Sequence, residues 1–431
     1  MPIVLILGVI LSFKSFKLIK NLKFEDNHGF KDYKNSFFIS LSSKVGTGAI
    51  IGVLAAMYKI SNKDHMGEGI LLWVFLGSLI LLPITYFEVF FTKLTNKSPR
   101  EFIAFSLNKN LGFIYTLSLV LLYCFGFVGF QFSGILTVSK IFVFDNFSLQ
   151  MSNLNLFFFL VVPILILIFS VIITKNHELF ANILASTISI VIFLYVIMFM
   201  IFLSKTSNFI PTYFNLVIKD FLNPKSFFIG LPIGFLVGFQ RIIQTSETAL
   251  GTSSLSSLES KNNPKKEALI QVFASICTLF IAVFITSYIF SYANNMYNLN
   301  ISSNSMQRIN VYINSIYNIL GLGGVIVMVL FFVSSGFTTI LGSYHFLKNS
   351  FDIKEELSII LYMILLTLAG FFSISNFTIV FDIADLLMFV VSGINIVSIY
   401  VFVCKYAYKF IIKGENQNGY ARTHKTKGKT S

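Results

Sequence analysis

The chain has 431 residues, 55% of them hydrophobic and only 12% charged, with a mean hydropathy of +0.79. That much apolar surface excludes a soluble globular domain and implies a polytopic helical membrane protein. A net charge of +13 would suggest nucleic acid in a soluble chain, but here the basic residues lie in short loops and a tail, so no nucleic-acid partner is inferred.

Apolar runs fall at 2–13, 36–60, 68–92, 112–143, 156–174, 179–204, 226–256, 267–292, 319–347, 357–376 and 377–404. Most meet the requirement of about 20 residues for a spanning helix. They divide as one leading helix and two groups of five. The fold expected is therefore all-α, about 11 transmembrane helices in a five-plus-five inverted repeat with two broken helices. Its divisions are 1–35 (leading helix and basic segment), 36–205 (first repeat), 226–404 (second repeat) and 405–431 (tail).

The leading run lacks a small-residue cleavage site and reads as a short membrane helix. Residues 14–34 are basic with interspersed Phe, Leu and Ile, which suits an amphipathic helix on anionic lipid or an ordinary solvated loop. The next run contains Ser42-Ser43-Lys44-Val45-Gly46-Thr47-Gly48-Ala49-Ile50-Ile51-Gly52. Paired glycines around a threonine are poor material for an unbroken helix. In hydrocarbon a break is tolerated only where the freed backbone faces protein, an ion or water, so it marks a candidate site. Glycines spaced like Gly48 and Gly52 also serve plain close packing of helices. A second such stretch, Arg241-Ile242-Ile243-Gln244-Thr245-Ser246-Glu247-Thr248-Ala249-Leu250-Gly251, opens the second group of five. Breaks at corresponding places in two halves point to an inverted-repeat transporter.

Loop charge sets the expected orientation. With the N-terminus outside, the outer face carries only Lys59, Lys63, Lys140, Lys205, Lys219, Lys225 and Arg308; Lys44 and Arg241 lie at membrane depth, and every other Lys and Arg is inside. That asymmetry obeys the positive-inside rule and puts the tail, which reads as disordered, in the cytoplasm. Cys124, Cys277 and Cys404 lie far apart and form neither a disulfide framework nor a metal motif. No nucleotide-binding loop and no nucleophile–base pair is legible, so neither ATP-driven transport nor an enzyme is expected.

Several stretches together resemble the alanine or glycine:cation symporters of the amino acid–polyamine–organocation superfamily. Val45-Gly46-Thr47-Gly48-Ala49-Ile50 is similar to that family's Val-Gly-Thr-Gly-Asn-Ile, with Ala49 in place of asparagine. Arg241, Glu247, Leu250 and Gly251 match the family's sixth core helix in register, with Ser246 for asparagine and Ala249 for glycine. Phe337-Thr338-Thr339-Ile340-Leu341-Gly342-Ser343-Tyr344 resembles Phe-Ser-Thr-Ile-Leu-Gly-Trp-Ser-Tyr, Asp382 with Leu387-Met388 a later motif, Trp73 and Glu88 a Trp…Glu pair, and Gln131 a glutamine of the third core helix. The resemblance implies a diverged member in a bacterial inner membrane, importing a small neutral amino acid such as alanine or glycine with sodium or protons by alternating access. The alternatives are a member taking a larger substrate, or a transport-incompetent sensor. It implies no cofactor beyond the coupling ion, no obligate protein partner, and membrane lipid as surroundings.

Site residues follow from the resemblance and from chemistry. Gly46, Thr47 and Gly48 are expected to offer backbone N–H groups to a substrate carboxylate, and Thr245, Ser246 and Thr248 polar atoms to its ammonium. Gln131 is expected to orient the ligand and Ser343 to line the pocket. Sodium, a hard cation, is assigned to Thr338 and Thr339 with carbonyls of Ser42, Val45 and Ser335, although membrane-helix threonines also bond their own backbone. Lys44, Arg241, Glu247 and Asp382 are read as a gating or buried charge network, with Lys44–Asp382 one pair. The resemblance places a second cation site among the first, sixth and seventh core helices, where Ala49, Ser246 and Cys277 depart from the family. With Lys44 nearby, at most one coupled sodium ion is expected, with protons as the alternative driver.

Overall fold

In the computed structural model the residues described are 2–19, 30–61, 66–147, 152–222, 233–258, 260, 262–297, 301–350, 354–373 and 377–408, and every regular element among them is helical. Helix α1 is Pro2–Ile19. It runs on past the apolar stretch, so Lys14 and Lys17 belong to the leading helix rather than to a separate basic segment. Helices α2, Phe30–Lys44, and α3, Thr47–Ile60, meet at the first predicted break, where their axes bend by 49°.

Helix α4, Ile70–Thr95, stops at Asn96, which takes the left-handed conformation with φ 51°. A short α5, Pro99–Ser106, starts from a capping box: the Ser98 hydroxyl accepts from the Glu101 amide and Glu101 accepts from the Ser98 amide. Asn108 caps α6, Lys109–Leu121, which passes through a widened π turn at Leu122–Phe127 into α7, Val128–Phe147. A turn α8, Asn153–Leu156, leads through another π turn into α9, Val162–Ile173. Asn176 caps α10, His177–Lys205, and α11 is Ile210–Phe221.

The second predicted break separates α12, Ile233–Ser246, from α13, Thr252–Ser257. Asn263 caps α14, Pro264–Leu279, which continues through a π turn into α15, Thr286–Tyr297. Helix α16, Ser305–Ser350, is broken at Gly321, whose φ of 68° suits glycine alone among common residues. Helices α17, Glu355–Phe372, and α18, Phe377–Lys405, complete the fold, and the tail from 409 lies outside the described residues.

Among the described residues eight helices can cross a membrane by length and composition, nine if α2 and α3 count as one span. The expected eleven is not reached by that measure. The apolar part of α1, Ile6–Ser15, is short, and α12 and α13 are separated by five residues of irregular chain. Helices α5, α11 and the part of α16 before Gly321 were not legible as apolar runs, because they are short or amphipathic.

Packing places both breaks inside. Helix α16 lies against α7 and α10, α4 against α12 and α14, α14 against α2, and α12 against α3, while α1 rests on α4 and α18. Phe75, Leu79, Phe158, Phe159, Ile166, Leu167, Ile190 and Phe193 face outward and exposed, as a hydrocarbon solvent permits. Lys44, Glu88, Gln131, Arg241, Glu247 and Glu267 are all buried. Charge kept from lipid and enclosed by helices marks function or partnered scaffold.

Candidate functional site

The first break begins where α2 ends at Lys44. The chain extends through Gly46 (φ −139°, ψ 176°) and α3 starts at Thr47. The first amides of a helix have no partners within it, and membrane depth offers no water to supply them. Gln131 of α7 supplies one: its Oε1 accepts from Thr47 N at 2.7 Å and from Thr47 Oγ1 at 2.8 Å. Thr47 Oγ1 also lies 3.2 Å from the Phe130 carbonyl. Gln131 is thus a helix cap donated by a neighbouring helix.

Thr339 of α16 also reaches this stretch, donating to the Val45 carbonyl at 3.4 Å. A β-carbon on Gly46 would stand 2.7 Å from Gln131 Nε2 and 2.8 Å from Thr339 Oγ1, so the two side chains close on this glycine together. Gly48 packs normally on Phe130. Thr338 donates to the Ser335 carbonyl at 3.0 Å, and the Ser335 hydroxyl has no hydrogen-bond partner among the described residues. Ser42 turns its hydroxyl back to Ile39 O at 2.7 Å, which leaves its carbonyl as the oxygen it could offer.

The second break is conformationally expensive. Glu247 (φ 54°) and Ala249 (φ 66°) both take left-handed backbone, which costs a non-glycine residue about 1–2 kcal/mol, and Gly251 follows at φ 86°. Bonds from three neighbouring helices hold it. Asn395 of α18 donates to Ala249 O at 3.0 Å and to Glu88 at 2.8 Å, and Tyr115 donates to Leu250 O at 2.7 Å. The buried Glu88 carboxylate of α4 in turn accepts from the amides of Gly251 and Ser254, at the start of α13. Thr85 donates to Thr248 at 3.0 Å, and Ser246 lies 2.8 Å from Thr248. The Thr248 side chain therefore faces α4. Thr245 is buried with its hydroxyl lacking a hydrogen-bond partner among the described residues.

The two breaks adjoin. Ser43 donates to Glu247 at 3.4 Å, and Glu247 also accepts from Tyr123 and Thr252. Lys44 Nζ donates to Ser275 of α14 at 3.1 Å, and Ser275 reaches the Ser246 carbonyl at 3.3 Å. The acids acting on Lys44 are Glu247 first, then Glu88 and Glu267. Asp382, its expected partner, has its side chain outside the described residues.

Arg241 belongs to a separate cluster. Its guanidinium reaches the Gly52 carbonyl at 3.4 Å, Gln244, and Asp385 of α18 at 3.6 Å, while Lys59 lies 3.8 Å from Asp385. Arg241 and Glu247 thus do not form one network. Near the start of α14 lies a third cluster. The fully buried Glu267 accepts from Ser36 at 2.6 Å, Ser260 and Asn262 at 2.8 Å, and Gln271 at 2.9 Å, and Gln271 also takes Ser40 at 2.6 Å. It ties α2 to α14 and to the chain after α13.

One expectation is corrected. Ser343, expected to line the pocket, donates to Ile340 O at 2.7 Å and lies 2.8 Å from the Tyr362 hydroxyl of α17, so it serves helix packing there. Ser275, not Cys277, presents the polar atom of α14 to the breaks, because two residues along a helix turn the side chain to another face. Sequence reasoning also missed Asn395, Tyr115, Tyr123, Thr85 and Glu267. Their signal was polarity within apolar runs, but no local pattern names partners that are brought in by other helices.

A sequence model of the sodium:alanine symporter family matches residues 7–427. The chain is 22% identical over 381 residues to a probable sodium/glutamine symporter, GlnT, of Bacillus subtilis (strain 168), covering 85% of this chain and 75% of that protein. Among solved structures it resembles the substrate-bound, outward-open state of a Na+-coupled sialic acid symporter. That likeness has a TM-score of 0.58 at 14% identity and covers 92% of this chain and 85% of the other. At that identity the likeness establishes the fold.

Proposed function

The chain belongs to the sodium:alanine symporter family, secondary transporters rather than enzymes, and we propose that it carries a neutral amino acid into the cell together with sodium by alternating access. The observation that carries this reading is the meeting of two broken helices. Val45–Gly46 and Glu247–Gly251 adjoin through Ser43 and Glu247, with Gln131 and Thr339 closing on Gly46. Half-helix ends and unwound backbone provide sites for an anion and a cation at membrane depth without fixed ligand charges.

The substrate carboxylate takes the Thr47 amide from Gln131, and the Gln131 amide group turns to bind the ligand. Gly46 admits the ligand to the backbone, while Thr245, Ser246 and their neighbouring carbonyls receive the ammonium. Sodium binds among Thr339, Thr338 and the carbonyls of Val45, Ser42 and Ser335, an all-oxygen set suited to a hard cation. The two groups of five helices form an inverted repeat, with the N-terminus outside and the tail cytoplasmic, as the loop charges require.

A second reading concerns substrate size. The GlnT relative is named for glutamine, so a side chain larger than those of alanine and glycine is the alternative. Uptake of a panel of labelled amino acids into proteoliposomes under imposed sodium or proton gradients tests both. Sodium-driven uptake of one or a few neutral amino acids supports symport. Uptake that follows only a proton gradient, or none with any amino acid, refutes it.

A further inference from the structure

The Lys44 ammonium lies where two helix ends converge. Lys44 is the last residue of α2, and Ser246 is the last of α12. Ser275 lies between them, accepting from Lys44 Nζ at 3.1 Å. Its one hydroxyl hydrogen has two acceptors, the Ser246 carbonyl at 3.3 Å and the Gln271 carbonyl of its own helix at 3.0 Å. The C-terminal end of a helix carries partial negative charge on its last carbonyls, roughly half an elementary charge. Two such ends close together, near the Glu247 and Glu88 carboxylates, create a demand for positive charge that lipid cannot meet. Lys44 is only 4% exposed, and its long side chain delivers the charge there from the adjoining helix.

We propose that the Lys44 ammonium is a tethered cation, standing in the place where a second free coupling ion would otherwise bind. The inference rests on the symport reading above and adds a count to it, one sodium ion per cycle. Ser275 Oγ, an oxygen that a free ion there would take, already accepts from the ammonium. A sodium ion about 4 Å from the ammonium, at an effective dielectric of about 20, would bind roughly a thousand-fold more weakly than without it. Thr339 and Val45, by contrast, meet beside Gly46, make no bond to Lys44 among the described residues, and remain available to the one mobile ion.

The test counts sodium directly, without knowledge of the substrate. The full chain, purified and reconstituted, is titrated with radioactive sodium ions to saturation. The wild type is expected to bind one ion per chain with a Hill slope of one. Lys44→Ala and Lys44→Gln, which remove the charge at two side-chain lengths, are expected to bind two, while Lys44→Arg stays at one. Two ions on the wild type, or one on both folded neutral variants, overturns the inference while leaving sodium symport intact. No sodium on the wild type overturns the symport reading, and the inference falls with it. The wild-type count decides even where a variant fails to fold.

Discussion

Replacing Gly46 by alanine would insert one methyl group between the two candidate sites. Its β-carbon would stand 2.7 Å from Gln131 Nε2, 2.8 Å from Gln131 Oε1 and 2.8 Å from Thr339 Oγ1. The backbone there is extended at φ −139°, which alanine adopts freely, so the cost is steric and not conformational. Overpacking of this kind costs about 1–3 kcal/mol, or about 5- to 150-fold in a binding constant. Because the methyl touches one residue from each site, Gly46→Ala is expected to weaken amino acid binding and sodium binding together. Gly48→Ala is the control, since its β-carbon would meet Phe130 at an ordinary 3.5 Å. The assay is equilibrium binding of labelled sodium, and of the amino acid identified by uptake, to both folded variants. Unchanged affinities in Gly46→Ala, or equal losses in Gly48→Ala, would refute the shared position of the two sites.

Three further outcomes are expected. Thr339→Ala removes one sodium ligand and should shift the sodium dependence of substrate binding to higher concentration, at a cost of about 1–3 kcal/mol; an unchanged sodium titration removes Thr339 from the ion site. Ser343→Ala loses the contact with Tyr362 and should lower thermal stability by about 1 kcal/mol without altering selectivity, so a changed ranking in competition binding would return Ser343 to the pocket. Glu267→Ala strips the acceptor from Ser36, Ser260, Asn262 and Gln271 and should loosen α2 around Ser36, read as faster labelling of a cysteine introduced by Ser40→Cys; equal labelling rates would deny that Glu267 ties α2 to α14.

Both breaks were legible in the sequence because their cause is local. Gly46 and Gly48 around a threonine, and the polar run from Gln244 to Thr248, weaken a helix wherever it packs. What closes each break was not legible. The same helical period that exposes Thr339 to Val45 turns Ser343 toward Tyr362, and only the neighbouring α17 decides between pocket and packing. Cys277 drew notice as a departure from the family, yet two residues upstream Ser275 carries the bonds, because facing depends on the orientation of α14. Asn395 serves Glu88 and Ala249 from more than a hundred residues away. Arg241 was expected among the charges of the breaks, but its acid is Asp385, at a level of the membrane set by the packing of α12 against α3 and α18.

The hydrogen bonds of Gln131 bear on the unloaded half of the cycle. A carrier that accumulates its cargo must send the vacant form back, with the centre shut against water. A bare amide enclosed at that moment costs about 1–3 kcal/mol, which would thin the vacant closed state about 5- to 150-fold. In that circumstance a carrier swaps cargo for cargo more readily than it returns without a load. With Gln131 Oε1 on Thr47, the amide is satisfied by the protein itself, and without added charge. A carboxylate in its stead would sit there permanently as an imitation of the cargo. In the proposed cycle the neutral side chain would yield to the real one and cover for it afterwards, which would favour net accumulation over exchange.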